Sequence, residues 1–382
     1  MPKNKMNLSA IKTPARLGFL SFLGDVQGCG TIRVIQPFLL LNHYRRADLQ
    51  ILSQTMNQMV FDPEFYKTFT FCQFQRSATE DHFKLLLWFK TQVQKKYKIP
   101  IVYEIDDMLL GIPDFNYASG YYNKNEDWVK KCMKLSDGMT VSTEMLKNIY
   151  SEYCKNIVVV PNHLPKFIWG NIFPAHEYKD ESKKIKILWS GSQNHFSHKN
   201  LTANGVKGGD FGSELLNYIK KTTHIYDWYF VGAMPEELNE VKDKLCFVPW
   251  KNIFEYPAAV KSIEPDIAIA PLIDNEFNSA KSNIKVLEFT ACGAAGVYSD
   301  VEPYKRCNQR VKTDEEFIDK IEKLSTDIDL RAKVFQNDYN SVRSQIWWED
   351  NNNVQKYIES YLALFGKRLP TAKDKRKLLQ KG

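Results

Sequence analysis

Residues 266–299 read DIAIAPLIDNEFNSAKSNIKVLEFTACGAAGVYS, and this stretch decides the fold class. It opens with a short apolar strand, continues through a polar loop into a segment with helical periodicity, and closes on a second apolar strand. Strands joined by a helix in this way predict a parallel sheet covered on both faces. The helix is predicted to begin near Ser279. Lys281 and Lys285 then share one face of it, and Glu288 follows close to that face.

The same alternation of strand-length apolar runs and helical segments extends along most of the chain. The runs of the first half are LGFLSFL (17–23), FTFCQF (69–74), PIVYEID (100–106), GMTVST (138–143) and NIVVVPN (156–162). Those of the second half are KIKILWSGS (184–192), DWYFVG (227–232), LCFVPW (245–250), DIAIAPL (266–272) and AAGVYS (294–299). Two similar halves of this kind predict two Rossmann-like α/β domains that face a central cleft.

A stretch rich in proline and charge, residues 166–184, fits neither a strand nor a helix period and separates the two halves. We therefore predict an N-terminal domain over 1–165 and a second domain over 185–349. A helix near 350–365 is predicted to pack back, and residues 366–382 form a basic tail.

Composition and charge limit the class of protein. The 382 residues carry a formal net charge of +7, and the tail, with seven Lys/Arg and one Asp, contributes +6 of it. Such a tail suits solvent, a phosphate backbone or an anionic membrane surface. No apolar run is long enough to span a membrane, which predicts a cytoplasmic protein without membrane insertion. The seven cysteines stand singly and predict reduced thiols, with no metal site.

In the first half, the turns after the strands hold the candidate residues, because ligands of doubly wound sheets bind at the carboxyl ends of the strands. The turn GDVQGCGTIRV places Gly28 and Gly30 before a helix that carries Arg33, and free N–H groups there can meet an anion or a hydroxyl. The alternative is a glycine turn that only reverses the chain. Arg76 ends another strand, where it either meets an anionic substrate or pairs with a nearby acid.

Asp106 and Asp107 end the strand in YEIDDML. Adjacent acids at this position can deprotonate or orient an acceptor hydroxyl, hold a metal, or cap the turn. We place the acceptor contact ahead of the metal. In the second half, Gly191, Ser192 and Gly232 follow strands, where backbone N–H groups can meet a diphosphate.

The segment 266–304 resembles the donor-binding region of GT-B glycosyltransferases of the retaining, family 4-like type. Its most specific piece is N-x-x-K-S-x-x-K-x-x-E followed by A-x-G, and GCGTIRVIQP, VYEIDD, GMTVST and VVVPN match the N-terminal half of the group in order and spacing. The resemblance covers roughly residues 17–365. It implies that Glu288 holds the ribose hydroxyls of a sugar nucleotide. It also implies that Lys281 or Lys285 contacts the diphosphate together with the backbone near Gly191. Ser282, in the same motif, is a further predicted donor-binding residue. Many relatives have a second glutamate where this chain has Ala280, so the donor sugar stays unidentified.

The resemblance implies a glycosyltransferase that uses a nucleotide sugar, most simply a UDP-sugar, and needs neither a metal nor a further cofactor. An inverting reaction would require Asp106 or Asp107 as a base, whereas a retaining one would use them to orient the acceptor. The stereochemical outcome and the oligomeric state are not predicted.

The acceptor predicted first is 5-hydroxymethylcytosine in duplex DNA, because the composition and the basic tail resemble sugar transferases of T-even-like bacteriophages that act in the host cytoplasm. Four aromatic residues either stack on an extruded base or pack within a loop: Phe115, Tyr117, Tyr121 and Tyr122. The alternatives are a transferase for surface polysaccharide or lipid-linked glycan, and a non-catalytic module that binds DNA or glycan.

Overall fold

The structure, a computed structural model, describes residues 17–43, 49–174, 183–196, 209–350 and 352–366. Among them are two six-stranded sheets, all of whose strand pairs are parallel. The predicted α/β class is therefore confirmed. The basic tail lies outside the described residues except for Gly366, as does part of the predicted linker, 175–182.

The strands of the first sheet are β1 Leu17–Leu23, β2 Leu49–Thr55, β3 Phe71–Gln75, β4 Ile101–Ile105, β5 Gly138–Val141 and β6 Ile157–Val159. Those of the second are β7 Lys186–Gly191, β8 Asp227–Gly232, β9 Cys246–Pro249, β10 Ile267–Ala270, β11 Ala295–Ser299 and β12 Arg310–Val311. Two of the predicted runs, 17–23 and 227–232, coincide with strands from end to end. Two strands, β2 and β12, were not predicted.

The helices flank these sheets. Helix α1 covers 28–43 as Gly28–Gly30, Thr31–Ile35 and Gln36–His43 in succession, and α2 covers 80–97 as Glu80–Trp88, Phe89–Gln94 and Lys95–Tyr97. The others are α3 Ser119–Tyr122, α4 Glu126–Leu135, α5 Glu144–Tyr150, α6 Lys166–Trp169, α7 Ser213–Thr222, α8 Glu255–Ile263, α9 Glu276–Ser279, α10 Ile284–Cys292, α11 Asp314–Thr326, α12 Ile328–Val342 and α13 Asn353–Ala363. Short 3-10 helices cover Met56–Gln58, Pro63–Tyr66, Asn123–Asn125, Gln193–His195, Glu236–Lys244 and Glu302–Tyr304. None of the described helices is long and apolar enough to cross a membrane.

The described residues divide into two compact units. Unit 1 contains the first sheet and is built from residues up to Asp106, from Asn125–Pro161 and from Asn352 onward, whereas unit 2 contains 107–124 and the second sheet. The C-terminal helix α13 belongs to unit 1, where Tyr361 stacks on Phe71 of β3 with ring centroids 5.2 Å apart. Its hydroxyl donates to Oε1 of Gln73 at 3.0 Å, so α13 covers this face of the sheet.

The order of strands places one crevice in each sheet. In the first sheet the order is β2-β1-β3-β4-β5-β6, and in the second it is β12-β11-β10-β7-β8-β9. The chain leaves β1 toward one side of the sheet and later returns on the other, at β3. It does the same at β7 and β10. Loops diverge at such switch points, and the space outside the carboxyl ends of the two strands is where ligands bind in open parallel sheets.

Candidate functional site

Two glycines end neighbouring strands at the carboxyl end of the second sheet. Gly191 ends β7 and lies directly opposite Gly232, which ends β8. Gly232 has a φ of 97°, and a Cβ atom there would collide with the carbonyl oxygen of Gly191. Only glycine therefore fits at position 232. The two predicted glycines thus lie side by side. Because glycine has no side chain, neither residue covers the backbone at these strand ends.

Ser192 follows and begins the short helix Gln193–His195. Its hydroxyl accepts a hydrogen bond from the backbone N–H of Asn194 at 3.4 Å. In this position Ser192 acts as a helix cap, which fixes the direction in which the chain leaves β7.

The predicted helix start near Ser279 is wrong. Helix α9 ends at Ser279, and the helix that carries Lys285 and Glu288, α10, begins only at Ile284. Lys281 lies in the connection between them, with its Nζ 4.9 Å from the centroid of the Phe277 ring. The two lysines therefore approach the crevice from different elements and do not share one helix face.

Side-chain hydrogen bonds hold this connection out of a continuous helix. Asn162 donates to Oγ of Ser282 at 2.8 Å. Asn283 and Gln345 exchange amide hydrogen bonds of 3.1 and 3.0 Å. Polar side chains that bond elsewhere compete with helical geometry. Ser282, a predicted donor contact, is thus an anchor of the connection that carries Lys281.

Glu288 lies at the centre of a buried network in the crevice. Its Oε2 is 2.7 Å from Nζ of Lys285 and accepts a 2.9 Å hydrogen bond from the hydroxyl of Tyr256. Nζ of Lys285 also donates to Oγ of Ser190, the last residue but one of β7, at 3.1 Å. The side chain of Glu288 is 8% exposed and that of Lys285 is 19% exposed. The network holds a carboxylate and an ammonium group at the end of β7 in defined orientations.

Burial decides the protonation state of Tyr256. It raises the pKa of the phenol well above its usual value, and the charge of Glu288 raises it further. Tyr256 is therefore a neutral donor across the physiological range, which allows it to orient Glu288 without adding a second negative charge.

A histidine–aspartate pair that sequence reasoning did not identify lies at the same switch point. Nδ1 of His195 is 2.7 Å from Oδ2 of Asp210, and the backbone N–H of Asp210 donates to the carbonyl of His195 at 2.9 Å. The other carboxylate oxygen accepts from the backbone N–H of Ile273 at 3.0 Å and from Nδ2 of Asn278 at 2.8 Å. Asp210 thus ties the loop after β7 to the loop after β10.

In unit 1, a carboxylate within the turn after β1 binds backbone N–H groups of the same turn. The carboxylate of Asp25 accepts from the backbone N–H of Gln27 at 2.8 Å and from that of Gly30 at 3.2 Å. A Cβ atom on Gly30 would collide with the carbonyl oxygen of Asp25, whereas nothing lies within 4 Å of such an atom on Gly28. The N–H group of Gly30, which was predicted to meet an anion or a hydroxyl, is thus bonded to Asp25, and this favours a structural turn.

Arg33 is also placed differently from the expectation. It is buried, its Nε donates to Oε1 of Glu104 at 2.7 Å, and its guanidinium donates to the carbonyl of Val160 at 2.6 Å. Oε2 of Glu104 in turn accepts from Gln75 at 2.9 Å. A guanidinium held in this way beneath the strand ends favours a role in packing rather than a ligand contact.

Arg76, Asp106 and Cys29 come together at the switch point of unit 1. The Arg76 guanidinium donates to Oδ1 of Asp106 at 3.2 Å and to Sγ of Cys29 at 2.8 Å. Arg76 has a φ of 48°, the left-handed region that costs a non-glycine residue energy and that concentrates at functional sites. Asp106 and Cys29 offer ligand atoms within 4.8 Å of each other, but the guanidinium already supplies a cation there. Asp107 follows Asp106 as the first residue of a segment assigned to unit 2.

The predicted aromatic group divides in two. Phe115 is buried, whereas Tyr117 and Tyr121 are 51% and 48% exposed. Tyr121 and Tyr122 meet edge to face with ring centroids 4.9 Å apart. Tyr117 and Tyr121 are therefore the exposed members of this group.

Comparison with known proteins identifies the fold. No protein-family model matches the chain, and no curated protein matches it. Among solved structures it is similar to TarM, with a TM-score of 0.51 and 11% identity over 82% of this chain and 57% of TarM. It is also similar to a mutant of the Thermobaculum terrenum O-GlcNAc transferase, with a TM-score of 0.52 and 10% identity over 92% of this chain and 68% of that protein.

The chain thus spans less than two thirds of TarM. The fold is GT-B, the fold of glycosyltransferases with two parallel-sheet α/β domains, and the predicted fold class is confirmed. At such low identity the likeness concerns the fold, so function has to be argued from the residues of this chain.

Proposed function

We propose that this protein is a glycosyltransferase that moves a sugar from a nucleotide-sugar donor, a UDP-sugar in the simplest case, to an acceptor hydroxyl. The observation that carries the proposal is the network of Glu288, Lys285 and Ser190 at the switch point of a GT-B unit. A carboxylate and a cation fixed side by side match a ribose and a diphosphate, which are neighbouring parts of one nucleotide.

Glu288 is proposed to accept hydrogen bonds from the ribose hydroxyls. Both described bonds to its carboxylate fall on Oε2, from Lys285 and Tyr256, which leaves Oε1 the oxygen for a sugar hydroxyl. Hydrogen bonds to a carboxylate are among the stronger ones that proteins make.

Lys281 and Lys285 are proposed to contact the diphosphate, together with the backbone near Gly191. When the bond between the anomeric carbon and the diphosphate oxygen breaks, its electron pair stays on the diphosphate. Cations already fixed at that position stabilise the developing charge without reorganising. This division of labour needs no metal ion, and it matches the retaining type that the motif resembles. Asp106 and Asp107 then orient the acceptor.

For the acceptor we propose the hydroxymethyl group of 5-hydroxymethylcytosine in DNA. What supports it is the pair of exposed rings, Tyr117 and Tyr121, because base-modifying enzymes stack an extruded base on aromatic side chains. A surface polysaccharide or a lipid-linked glycan is the competing acceptor.

Thermal stabilisation by a panel of UDP-, GDP- and ADP-sugars tests the donor site. We expect at least one donor to stabilise the wild type, and E288Q to weaken its binding about 10- to 100-fold, because a charged hydrogen bond contributes about 1.5–3 kcal/mol. E276Q, which alters an exposed glutamate on the neighbouring α9, is the matched control. D106N should keep donor binding and reduce turnover. If no nucleotide sugar binds, the donor site is refuted and a non-catalytic module is favoured.

Transfer of labelled sugar tests the acceptor. Hydroxymethylated duplex DNA, the same DNA with plain cytosine, and polysaccharide or lipid-linked acceptors are offered in parallel with each donor that binds. Label on hydroxymethylated DNA alone, reduced in a Y117A Y121A variant, is the expected result. Label on a glycan instead would replace the proposed acceptor and keep the transferase.

A further inference from the structure

The pair formed by His195 and Asp210 is held more firmly than a surface histidine needs. One hydrogen bond of 2.7 Å joins the two side chains, and another of 2.9 Å joins the two backbones. The imidazole also meets the Trp189 ring edge to face, with centroids 5.7 Å apart. Asp210 is 5% exposed and accepts two further hydrogen bonds from residues after β10. Because Asp210 is held in place by these bonds, it fixes the orientation of the His195 ring. The His195 side chain itself is 18% exposed.

The orientation of the ring fixes which nitrogen carries hydrogen. A carboxylate only accepts hydrogen bonds, so Nδ1 of His195 carries the hydrogen that Asp210 binds. In the neutral ring Nε2 then has only a lone pair. It can accept from a hydroxyl, but it cannot donate to the oxygen of an anion until the ring takes up a second proton.

We propose that His195 binds the donor diphosphate through Nε2 as an imidazolium, so that each donor molecule binds together with one proton. The proposal rests on the proposed function, since it deepens the assignment of this switch point to a nucleotide sugar. Asp210 acts as a positioning residue, because it reaches the ligand only through His195.

The charged groups around His195 explain why the proton arrives with the ligand. In the free protein, burial lowers the pKa of His195, and Lys281, from the connection before α10, and Lys285, from α10 itself, lower it further, against the opposing effect of Asp210. The ring is therefore mainly neutral at neutral pH. A diphosphate bound to the two lysines neutralises their charge and adds its own negative charge. Both effects favour the imidazolium.

Other ionisable groups at this place do not replace His195 as the proton acceptor. Glu288 faces Lys285 and is already paired with it. Tyr304, whose pKa is raised by burial and by Asp210, stays neutral. Among the described groups around the pair, the imidazole is the one whose ordinary pKa lies close to neutrality.

This arrangement also serves transfer. As the anomeric C–O bond breaks and the diphosphate keeps the electron pair, an imidazolium N–H adds a third positively charged donor to the two lysines. The proton leaves the ring when the nucleoside diphosphate dissociates, because the lysines then face the ring without their counter-charge. Each cycle thus returns His195 to its starting state.

Calorimetric titration tests the proposal. The probe is UDP-glucose, GDP-mannose or ADP-glucose, whichever stabilises the protein most. A diphosphate esterified at both ends has no proton of its own that titrates near neutrality. The binding enthalpy is measured near neutral pH in two buffers with different ionisation enthalpies, and the affinity is measured over a pH series. We expect uptake of close to one proton, and an affinity that falls about tenfold per pH unit above the pKa of free His195.

Two variants separate the pair from the rest of the site. H195Q keeps a neutral N–H donor near the position of Nε2 and should bind without proton uptake. D210N keeps an oxygen for Ile273 and Asn278, while its amide donates to Nδ1. The neutral ring then carries its hydrogen on Nε2, so binding becomes independent of pH. H224Q, at an exposed histidine of the same unit, should behave as wild type.

The outcomes are distinct. A wild-type binding enthalpy that is equal in both buffers overturns this inference and leaves the donor site standing, as does a pH dependence that survives in H195Q. Absence of binding to every nucleotide sugar overturns the proposed function and this inference together. Thermal melts of both variants check that they are folded.

Discussion

The hydroxyl of Tyr256 donates a 2.9 Å hydrogen bond to Oε2 of Glu288, the oxygen that also binds the ammonium group of Lys285. A carboxylate buried at the end of a sheet needs such partners, because an unpaired buried charge is costly. Tyr256 supplies one of them without adding a charge of its own.

We expect Y256F to show whether Tyr256 only orients Glu288 or also contacts the donor. The change removes the hydroxyl that bonds both Glu288 and Ser190, and should lower the free energy of unfolding by about 1–3 kcal/mol, since buried partners lose a hydrogen bond. Donor affinity should fall less than in E288Q. Denaturant titration and calorimetry measure the two effects, with Y117F as the exposed control. An affinity loss as large as that of E288Q would mean that Tyr256 itself touches the donor.

The two lysines are expected to differ. Lys285 is fixed by Glu288 and Ser190, whereas Lys281 lies over the Phe277 ring. A fixed cation stabilises a developing charge more than an adaptable one. K285M should therefore lower kcat by about 10²-fold, and K281M should lower it less and raise the donor KM. Steady-state kinetics of both, beside K333M at an exposed lysine, test this. Equal effects of the two changes would contradict it.

The sequence predicted the sheets well because their strands are short apolar runs between turn residues, as in LGFLSFL and DWYFVG. Strand β2, LQILSQT, escaped because Gln50, Ser53 and Gln54 interrupt its apolar pattern. The helix break before Ile284 escaped for another reason. The i, i+4 spacing of Lys281 and Lys285 fits a helix, while the bonds that prevent one come from distant residues such as Asn162 and Gln345.

The site was predictable where its residues are close in sequence. Lys285 and Glu288 do lie together, and the motif indicated this. His195 and Asp210 are 15 positions apart in the sequence, and nothing in their immediate neighbours marks them as a pair. Arg33 was expected at a ligand because it follows the glycine turn after the first strand, in the first turn of a helix. Its partner, Glu104, comes from another strand, and only the fold brings the two together.

Removal of divalent metal should leave transfer intact. Lysine ammonium groups supply the positive charge at the proposed diphosphate position. At Cys29 and Asp106, the positive charge comes from the guanidinium of Arg76, which donates to both. We expect turnover in a chelator to stay within about twofold of that in buffer, because no step of the proposed mechanism runs through a metal. Activity lost in chelator and restored by Mg²⁺ or Mn²⁺ would refute this and direct attention to Cys29 and Asp106.

The stability of unit 2 should depend on pH through Asp338. This residue of α12 is 1% exposed, and Tyr298 donates to its Oδ2 at 3.2 Å. Burial raises the pKa of Asp338 to about 7. This folded-state pKa lies above the unfolded value of about 3.9. The contribution of Asp338 to the free energy of unfolding is therefore fully present below the unfolded pKa, and it is lost as the pH rises through the folded-state pKa.

D338N should remove that loss. Between the two pKa values, the free energy of unfolding of the wild type should fall relative to that of D338N by about 1.4 kcal/mol per pH unit. Denaturant titrations over a pH series measure the difference, with D243N as the exposed control. Parallel curves for wild type and D338N would show that Asp338 does not titrate in this range.

The return of α13 to the first sheet has a consequence for synthesis on the ribosome. Phe71 and Gln73 lie on an early strand, yet the ring and hydroxyl that cover them belong to Tyr361. Until that helix emerges, the nascent polypeptide presents an uncovered apolar sheet face. Unit 1 is translated first and completed last, so the interval between the two events is when chaperones would have most to protect.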